Sequence, residues 1–428
     1  MNLLIKNGRV VDPSQGLDAI ADVLISDGKI AKIDGHIEGS NVEVFDAKGL
    51  VVAPGFIDAH THLREPGYEG KEDIESGTKA AAAGGITTVF CMANTDPVID
   101  SSILVSGLKE RIARKAAVNV EVIGAVTKGL KGEELAEMGD MAEAGAIAFS
   151  DDGRWIANSR IFRSALEYAS AFDKIIISHA EDETLAAGGY MNEGLTSTKL
   201  GIPGIPAAAE DIAVARDIIL AELTGARLHV AHVSTKGAVE LIRQAKARGV
   251  KVTAEATVHH MTLTDSAVVG YNTAAKVSPP LRTAEHVEAV RRGVKDGTID
   301  IIVTDHAPHS FKDKDVEFRY APNGAVGLET SIAVALTDLY HTGILTLEEM
   351  IDRMSAAPSR LFSLDRGNLK IGSRADVTIL DLNKEWTIEG RKFYSKSKLT
   401  PFEGKRRRGK AAGAIVNGKI VMKDGIVL

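Results

Sequence analysis

"GFIDAHTH", Gly55 to His62, begins as an apolar run and ends on an aspartate and two histidines at alternate positions. Alternate residues of a strand share a face, so Asp58, His60 and His62 are expected to point the same way and bring two imidazoles together at the strand's carboxyl end. Seven further runs of this style follow: "ITTVFCMAN" (86–94), "VNVEVIGAVT" (118–127), "GAIAFSDD" (145–152), "KIIISHAED" (174–182), "RLHVAHVS" (227–234), "KVTAEATVHH" (251–260) and "IDIIVTDHAPH" (299–309). Helical stretches lie between them, among them "EDIESGTKAAAAG" (72–84), "SILVSGLKERIARK" (102–115) and "GAVELIRQAKARG" (237–249). Eight apolar runs alternating with helices predict an α/β chain folded as a (β/α)₈ TIM barrel, with its site at the carboxyl ends of the strands. A doubly wound open sheet is the competing architecture, but no phosphate-binding glycine pattern follows the first run.

The two ends of the chain read differently. "IKNGRVVD", "VLISDGKIAKI" and "VEVFDAKG" near the start, and "ADVTILDL" and "AIVNGKIVMKDGIV" near the end, are short β-type segments. Their Asn-Gly and Asp-Gly pairs predict hairpins. Residues 1–53 and 366–428 are therefore expected to form one small β-sandwich, with the barrel occupying 54–365.

The chain has 428 residues, of which 44% are hydrophobic and 25% charged, with a formal net charge of -7. That balance fits a folded α/β protein and gives no cationic footprint for nucleic acid. The one basic run, Lys405 to Arg408, reads as a solvated turn. One cysteine, Cys91, excludes an internal disulfide; no stretch has the apolar length of a membrane span or a signal peptide. A cytoplasmic protein is expected.

The ends of the predicted strands collect metal-ligand residue types. Beside His60 and His62 there are Asp151 and Asp152 after the fourth run, His179 after the fifth, His232 after the sixth, and Asp305, His306 and His309 after the eighth. Carboxylates and imidazoles crowded at one end of a barrel need a cation, and this mixture suits zinc. Six such ligands exceed what one catalytic zinc takes, so two ions sharing a bridging ligand fit better. His36, His286 and His341 are expected at the surface. His229, on the strand face opposite to His232, is expected against a helix.

"DAHTHLREPG", "FSDDG", "SHAED", "LHVAHVST", "SPPLR", "TDHAPH" and "VGLET", in this order, resemble the type I dihydroorotases of the amidohydrolase superfamily. The resemblance implies a metal-dependent barrel enzyme of pyrimidine biosynthesis that interconverts N-carbamoyl-L-aspartate and (S)-dihydroorotate. One Zn²⁺ would be held by His60, His62 and Asp305, a second by His179 and His232, and Asp305 would act as general base and acid. Substrate contacts would come from His62, Arg64, Asn94, Ser278, His309, Asn323 and Gly324. Arg64 is the discriminating residue, because a guanidinium pairs carboxylate oxygens bidentately. Related hydantoinases and allantoinases act on uncharged rings and usually lack it. An ion pair of Arg64 with Glu65 or Glu69 is the competing explanation for that residue.

Two positions depart from the family pattern: Ser278 stands where asparagine is common, and Asn323 where an aromatic is usual. Many relatives bridge two metals with a carbamylated lysine after a phenylalanine on the fourth strand. Here Ser150 follows Phe149 and no lysine lies between Lys131 and Lys174, so Asp151 or Asp152 must serve. The family match favours Asp152. The charged stretch 310–320 is read either as a mobile cover or as a solvated loop. The resemblance further implies a homodimer and allows association with aspartate carbamoyltransferase, in which Lys405 to Arg408 could take part. A degenerate, non-catalytic partner of that enzyme is the alternative outside catalysis.

Overall fold

The computed structural model describes residues 2–38 and 42–428. Eight parallel strands, Phe56–Thr61, Ile86–Cys91, Asn119–Gly124, Ala146–Ser150, Ile176–Ser178, Leu228–Val230, Val252–Thr257 and Ile301–Val303, each pair with the next in chain order. The last meets the first through a parallel bridge between Thr61 and His306, and the Asp58 carboxylate accepts from the Thr304 backbone N–H at 3.1 Å. The result is a nearly closed barrel, and each of the eight predicted runs contains one of its strands.

The alternation of the strands sorts the apolar residues. Ile57, Phe90, Ile123, Ala148, Ile177, Ile301 and Val303 form one buried cluster with Phe362, whose ring meets Phe90 edge-on at 4.7 Å. The intervening residues pack outward on helices, as Phe149 does beside Met141. Each such side chain contributes about 1.5–3 kcal/mol by leaving water. The helices begin where capping residues stand. Asp73 accepts from the Ser76 backbone N–H at 2.7 Å to start Ile74–Gly84, and Thr235 accepts from Ala238 at 3.1 Å to start Lys236–Ala247.

The chain ends share a separate nine-stranded sheet, built from Asn2–Asp12, Leu17–Ser26, Lys29–Asp34, Glu43–Asp46 and Val51–Pro54 with Val377–Thr387, Arg406–Val416, Lys419–Lys423 and Ile426–Val427. Val51–Pro54 pairs with Val377–Thr387 and so joins the two termini. The halves enclose a common core, in which Val23, Ile25 and Ile30 from one end meet Val377, Ile379 and Ile415 from the other. Three of the four turn dipeptides make hairpins: Asp27-Gly28, Asn417-Gly418 and Asp424-Gly425 all have positive φ at both residues. Asn7-Gly8 does not. It lies inside the first strand as a register shift, where Asn7 takes φ 61 and a Cβ on Gly8 would sit 2.5 Å from Val52.

Candidate active site

Four imidazoles from three strand ends converge on Asp152. Its Oδ1 lies 3.3 Å from His60 Nε2 and 3.6 Å from both His179 Nδ1 and His232 Nε2, while Oδ2 lies 3.4 Å from His62 Nε2. Asp305 Oδ1 is 3.1 Å from His62 Nε2 and 3.6 Å from His60 Nε2. Two sets have ligand atoms close enough to hold one ion each: His60, Asp152 and His232, and His60, His62 and Asp305. His179 Nδ1 stands 2.9 Å from His232 Nε2 at the edge of the first set. His60 Nε2 and Asp152 Oδ1 are buried without a hydrogen-bond partner, which for such groups is costly unless a cation takes them. The electrostatics agree: burial acts to lower the His60 imidazole, but Glu255 and Asp152 outweigh it and push it well above its usual value. Burial likewise opposes ionisation of Asp305, yet the His62 hydrogen bond and the charge of His60 hold its carboxyl at about 2.

Local backbone aims these side chains. The first strand has a register shift between Asp58 and Thr61, so simple alternation fails there. His60 and His62 enter the cluster, but Asp58 turns to Thr304, accepting from its backbone N–H and its hydroxyl at 2.5 Å. The sixth strand ends at Val230, and His232 takes φ 31, a left-handed conformation that brings its ring toward the cluster although His229 holds the inward position. His229 is not simply packed on a helix: its Nε2 lies 3.1 Å from Glu255 and its Nδ1 2.9 Å from Thr253. Asp305 is also left-handed, at φ 47.

A cavity of about 220 Å³ opens beside the cluster, lined by His62, Arg64, Asn94, Ser278, His309, Asn323 and Gly324 together with Asp152, Gly153, His179, His232, Asp305 and Ala307. Arg64 donates to the Pro308 carbonyl at 3.2 Å and approaches His309 at 3.4 Å. Neither acid considered for it is its partner. Glu65 accepts from Lys115, Arg111 and the Ile74 N–H, and Glu69 from the Gly67 N–H. Among the described residues Arg64 has no ion-pair partner within 4.0 Å, so a guanidinium faces the cavity with donors to spare. His309 donates through Nε2 to the Asn323 carbonyl at 2.8 Å, and burial with the charges of Arg64 and Lys71 pushes it down to about 2. It is neutral, and its buried Nδ1 is unpaired. Asn94 does two further things: its Oδ1 accepts from His62 Nδ1 at 2.9 Å and its amide donates to the Asp152 carbonyl at 3.3 Å.

The chain as a whole has known counterparts. A family model described as Dihydro-orotase-like matches residues 49–238. The protein named Dihydroorotase from Pelotomaculum thermopropionicum is 53% identical over 427 residues, 100% of each chain. The one from Citrifermentans bemidjiense is 54% identical over 422 residues, 98% of this chain and 99% of its own. The chain belongs to the dihydroorotase family. Among solved structures, L-hydantoinase (dihydropyrimidinase) from Arthrobacter aurescens superposes with a TM-score of 0.90 at 29% identity, covering 100% of this chain and 97% of the other. A D-hydantoinase gives 0.88 at 27%, covering 100% and 96%.

Within this dihydroorotase-family site, several residues carry structure that the strand-end reading passed over. Glu255, in the middle of the seventh strand, accepts from His60 Nδ1 at 2.5 Å and from the His232 backbone N–H at 3.2 Å, which fixes the His60 ring with Nε2 toward the cluster. Asp217 accepts from the Ser178 hydroxyl at 2.6 Å, beside His179, and Glu210 accepts from the Ser234 and Thr235 N–H groups just past His232. Asp151 accepts from the Val126 and Thr127 N–H groups at 2.8 and 3.0 Å and is therefore a fastener of the third-strand loop. The only signal for these in the sequence is an acid inside an apolar stretch. The basic run is not the solvated turn expected of it: Arg406 to Arg408 open the strand Arg406–Val416, where Arg406 pairs with Glu385, the buried Arg407 with Asp338 at 3.4 Å, and Arg408 donates to Asn383 at 2.6 Å.

Proposed function

We propose that this chain is a dihydroorotase, a hydrolase that opens the cyclic amide of (S)-dihydroorotate and, in reverse, cyclises N-carbamoyl-L-aspartate during pyrimidine biosynthesis. The observation that carries this reading is Arg64: an unpaired guanidinium in a cavity whose floor is the imidazole and carboxylate cluster. A ring carrying a carboxylate supplies the partner it lacks. Hydantoinase-like hydrolysis of an uncharged ring would leave that guanidinium desolvated and unmatched.

Zinc suits the donor set. His60, His62 and Asp305 would hold one ion, His179 and His232 a second, with Asp152 between them. When bound, the metal polarises the scissile carbonyl and lowers the pKa of a water. Asp305, an ionised carboxylate beside the cluster, takes the proton of the attacking water and delivers it to the departing amide nitrogen; cyclisation runs the same transfer backward. Arg64 holds the substrate carboxylate, with Asn94 beside it. Ser278, His309 and the backbone of Asn323 and Gly324 face the rest of the ring. Cys91 is a buried free thiol pushed up to about 12 by burial, which makes it an inert packing residue and not a nucleophile.

The test is metal content and dihydroorotate turnover for the wild type and Asp152→Ala. Loss of at least one bound ion and of most activity in the variant is expected. An Asp152→Ala protein with unchanged metal content and rate contradicts the bridging role.

A further inference from the structure

Two buried lysines flank the last barrel strand, Lys276 before it and Lys314 after it, and among the described residues neither has an ion-pair partner within 4.0 Å. Lys276, 5% exposed, points its Nζ at three carbonyls: Phe318 at 2.8 Å, Arg319 at 3.1 Å and Ala321 at 2.6 Å. Its three ammonium protons are thereby matched by three acceptors, with the Tyr190 and Phe318 rings 5.0 and 5.3 Å from the nitrogen. The backbone carbonyl of the same residue accepts from the Gly324 N–H at 2.9 Å and from Lys314 Nζ at 3.2 Å. Gly324 takes φ 132 and has the Ala307 carbonyl 2.5 Å from where a Cβ would stand, so this part of the cavity wall depends on close backbone packing.

Lys276 thus ties together two walls of the cavity. Ser278 lies two residues after it on one wall, and the carbonyls it gathers lead directly into Asn323 and Gly324 on the other. A buried ammonium is expensive, and an apolar side chain of similar length would fill the space at less cost. Burial pushes Lys276 down to about 8 and Lys314 to about 7, which reflects that expense.

We propose that Lys276 is a positioning residue for the substrate: it clamps residues 318–321 against the Ser278 segment so that the backbone groups of Asn323 and Gly324 stand ready for the amide edge of the ring. The proposal rests on the cavity being the dihydroorotate site. Preorganised contacts made equally in the bound substrate and the transition state act on KM and leave kcat nearly unchanged. Lys314 supports the clamp through the Lys276 carbonyl.

The experiment compares the metal-loaded wild type, Lys276→Met and Lys276→Arg by steady-state turnover of dihydroorotate, metal content and amide hydrogen exchange across residues 316–324. In Lys276→Met, KM rises about 10-fold, the equivalent of one or two lost hydrogen bonds, while kcat stays within about 3-fold. Metal content is unchanged and exchange across 318–324 accelerates. Lys276→Arg, which keeps the donors, recovers most of the KM. An unchanged KM, or a fall in kcat at constant KM, overturns the proposal. Should Lys276→Met fail to fold, Lys314→Met is read by the same criteria, with a KM rise of about 3-fold for its single weaker bond to the clamp. A wild type that does not turn over dihydroorotate refutes the functional reading instead, and exchange across 318–324 still decides the clamp.

Discussion

Arg64 shows how one residue decides between closely related chemistries. Its left-handed backbone, φ 61, and its bond to the Pro308 carbonyl hold the guanidinium at the cavity while the nearby acids are engaged elsewhere. Replacing it with methionine keeps the bulk and removes the charge. A charge-assisted pair contributes about 1.5–3 kcal/mol, so Arg64→Met should raise KM for dihydroorotate roughly 10- to 150-fold while bound metal is retained. A KM within twofold of the wild type would show that the substrate carboxylate is held elsewhere. The residue was legible because its type fits its task. The departures at Ser278 and Asn323 were legible too, and both line the cavity. Glu255 was not, because its role depends on where the His60 ring lies, and that crosses 195 positions of sequence.

At the scale of elements, the adjacent carboxylates of "FSDDG" part because the strand ends at Ser150, just before them, and the chain enters a turn. Asp152 reaches the cluster, and Asp151 binds the Val126 and Thr127 N–H groups of the neighbouring loop. Asp151→Ala would leave those buried donors unpaired at a cost of about 2–5 kcal/mol, readable by chemical denaturation, with metal stoichiometry unchanged in the folded fraction. Loss of metal at unchanged stability would reverse the two roles. Strand and helix periodicity gave the eight units and the helices near their observed bounds, since both follow from local side-chain pattern. What local pattern misread was parity and turns. The shift after Asp58 and the left-handed His232 reset which face a side chain takes, and Asn7-Gly8 became a bulge because the strand found continuous partners on both sides of it.

The whole molecule links its two sheets through the back of the site. Glu72 accepts from the Ser395 hydroxyl at 2.5 Å, in the connection between two strands of the terminal sheet, and pairs with His306 at 3.3 Å. The His306 carbonyl in turn accepts from the His62 N–H at 2.8 Å. Glu329 meets the same connection, accepting from the Ser395 N–H at 3.1 Å, and burial pushes its carboxyl up to about 7. Its pKa in the folded chain exceeds the ordinary 4.5, so its contribution is fully present below about 4.5 and is lost as pH rises through about 7. Between pH 5 and 8 the wild type should therefore lose unfolding free energy relative to Glu329→Gln; parallel curves would mean that this carboxyl titrates normally.

The central claim is that the cavity selects a cyclic amide carrying a carboxylate and acts on it through a metal centre. Turnover of dihydroorotate, dihydrouracil and hydantoin by the same metal-loaded preparation tests it most directly. Dihydroorotate turned over far faster than either uncharged ring, with activity abolished by chelation and restored by zinc, is the predicted result. Turnover of hydantoin or dihydrouracil with none of dihydroorotate would contradict it.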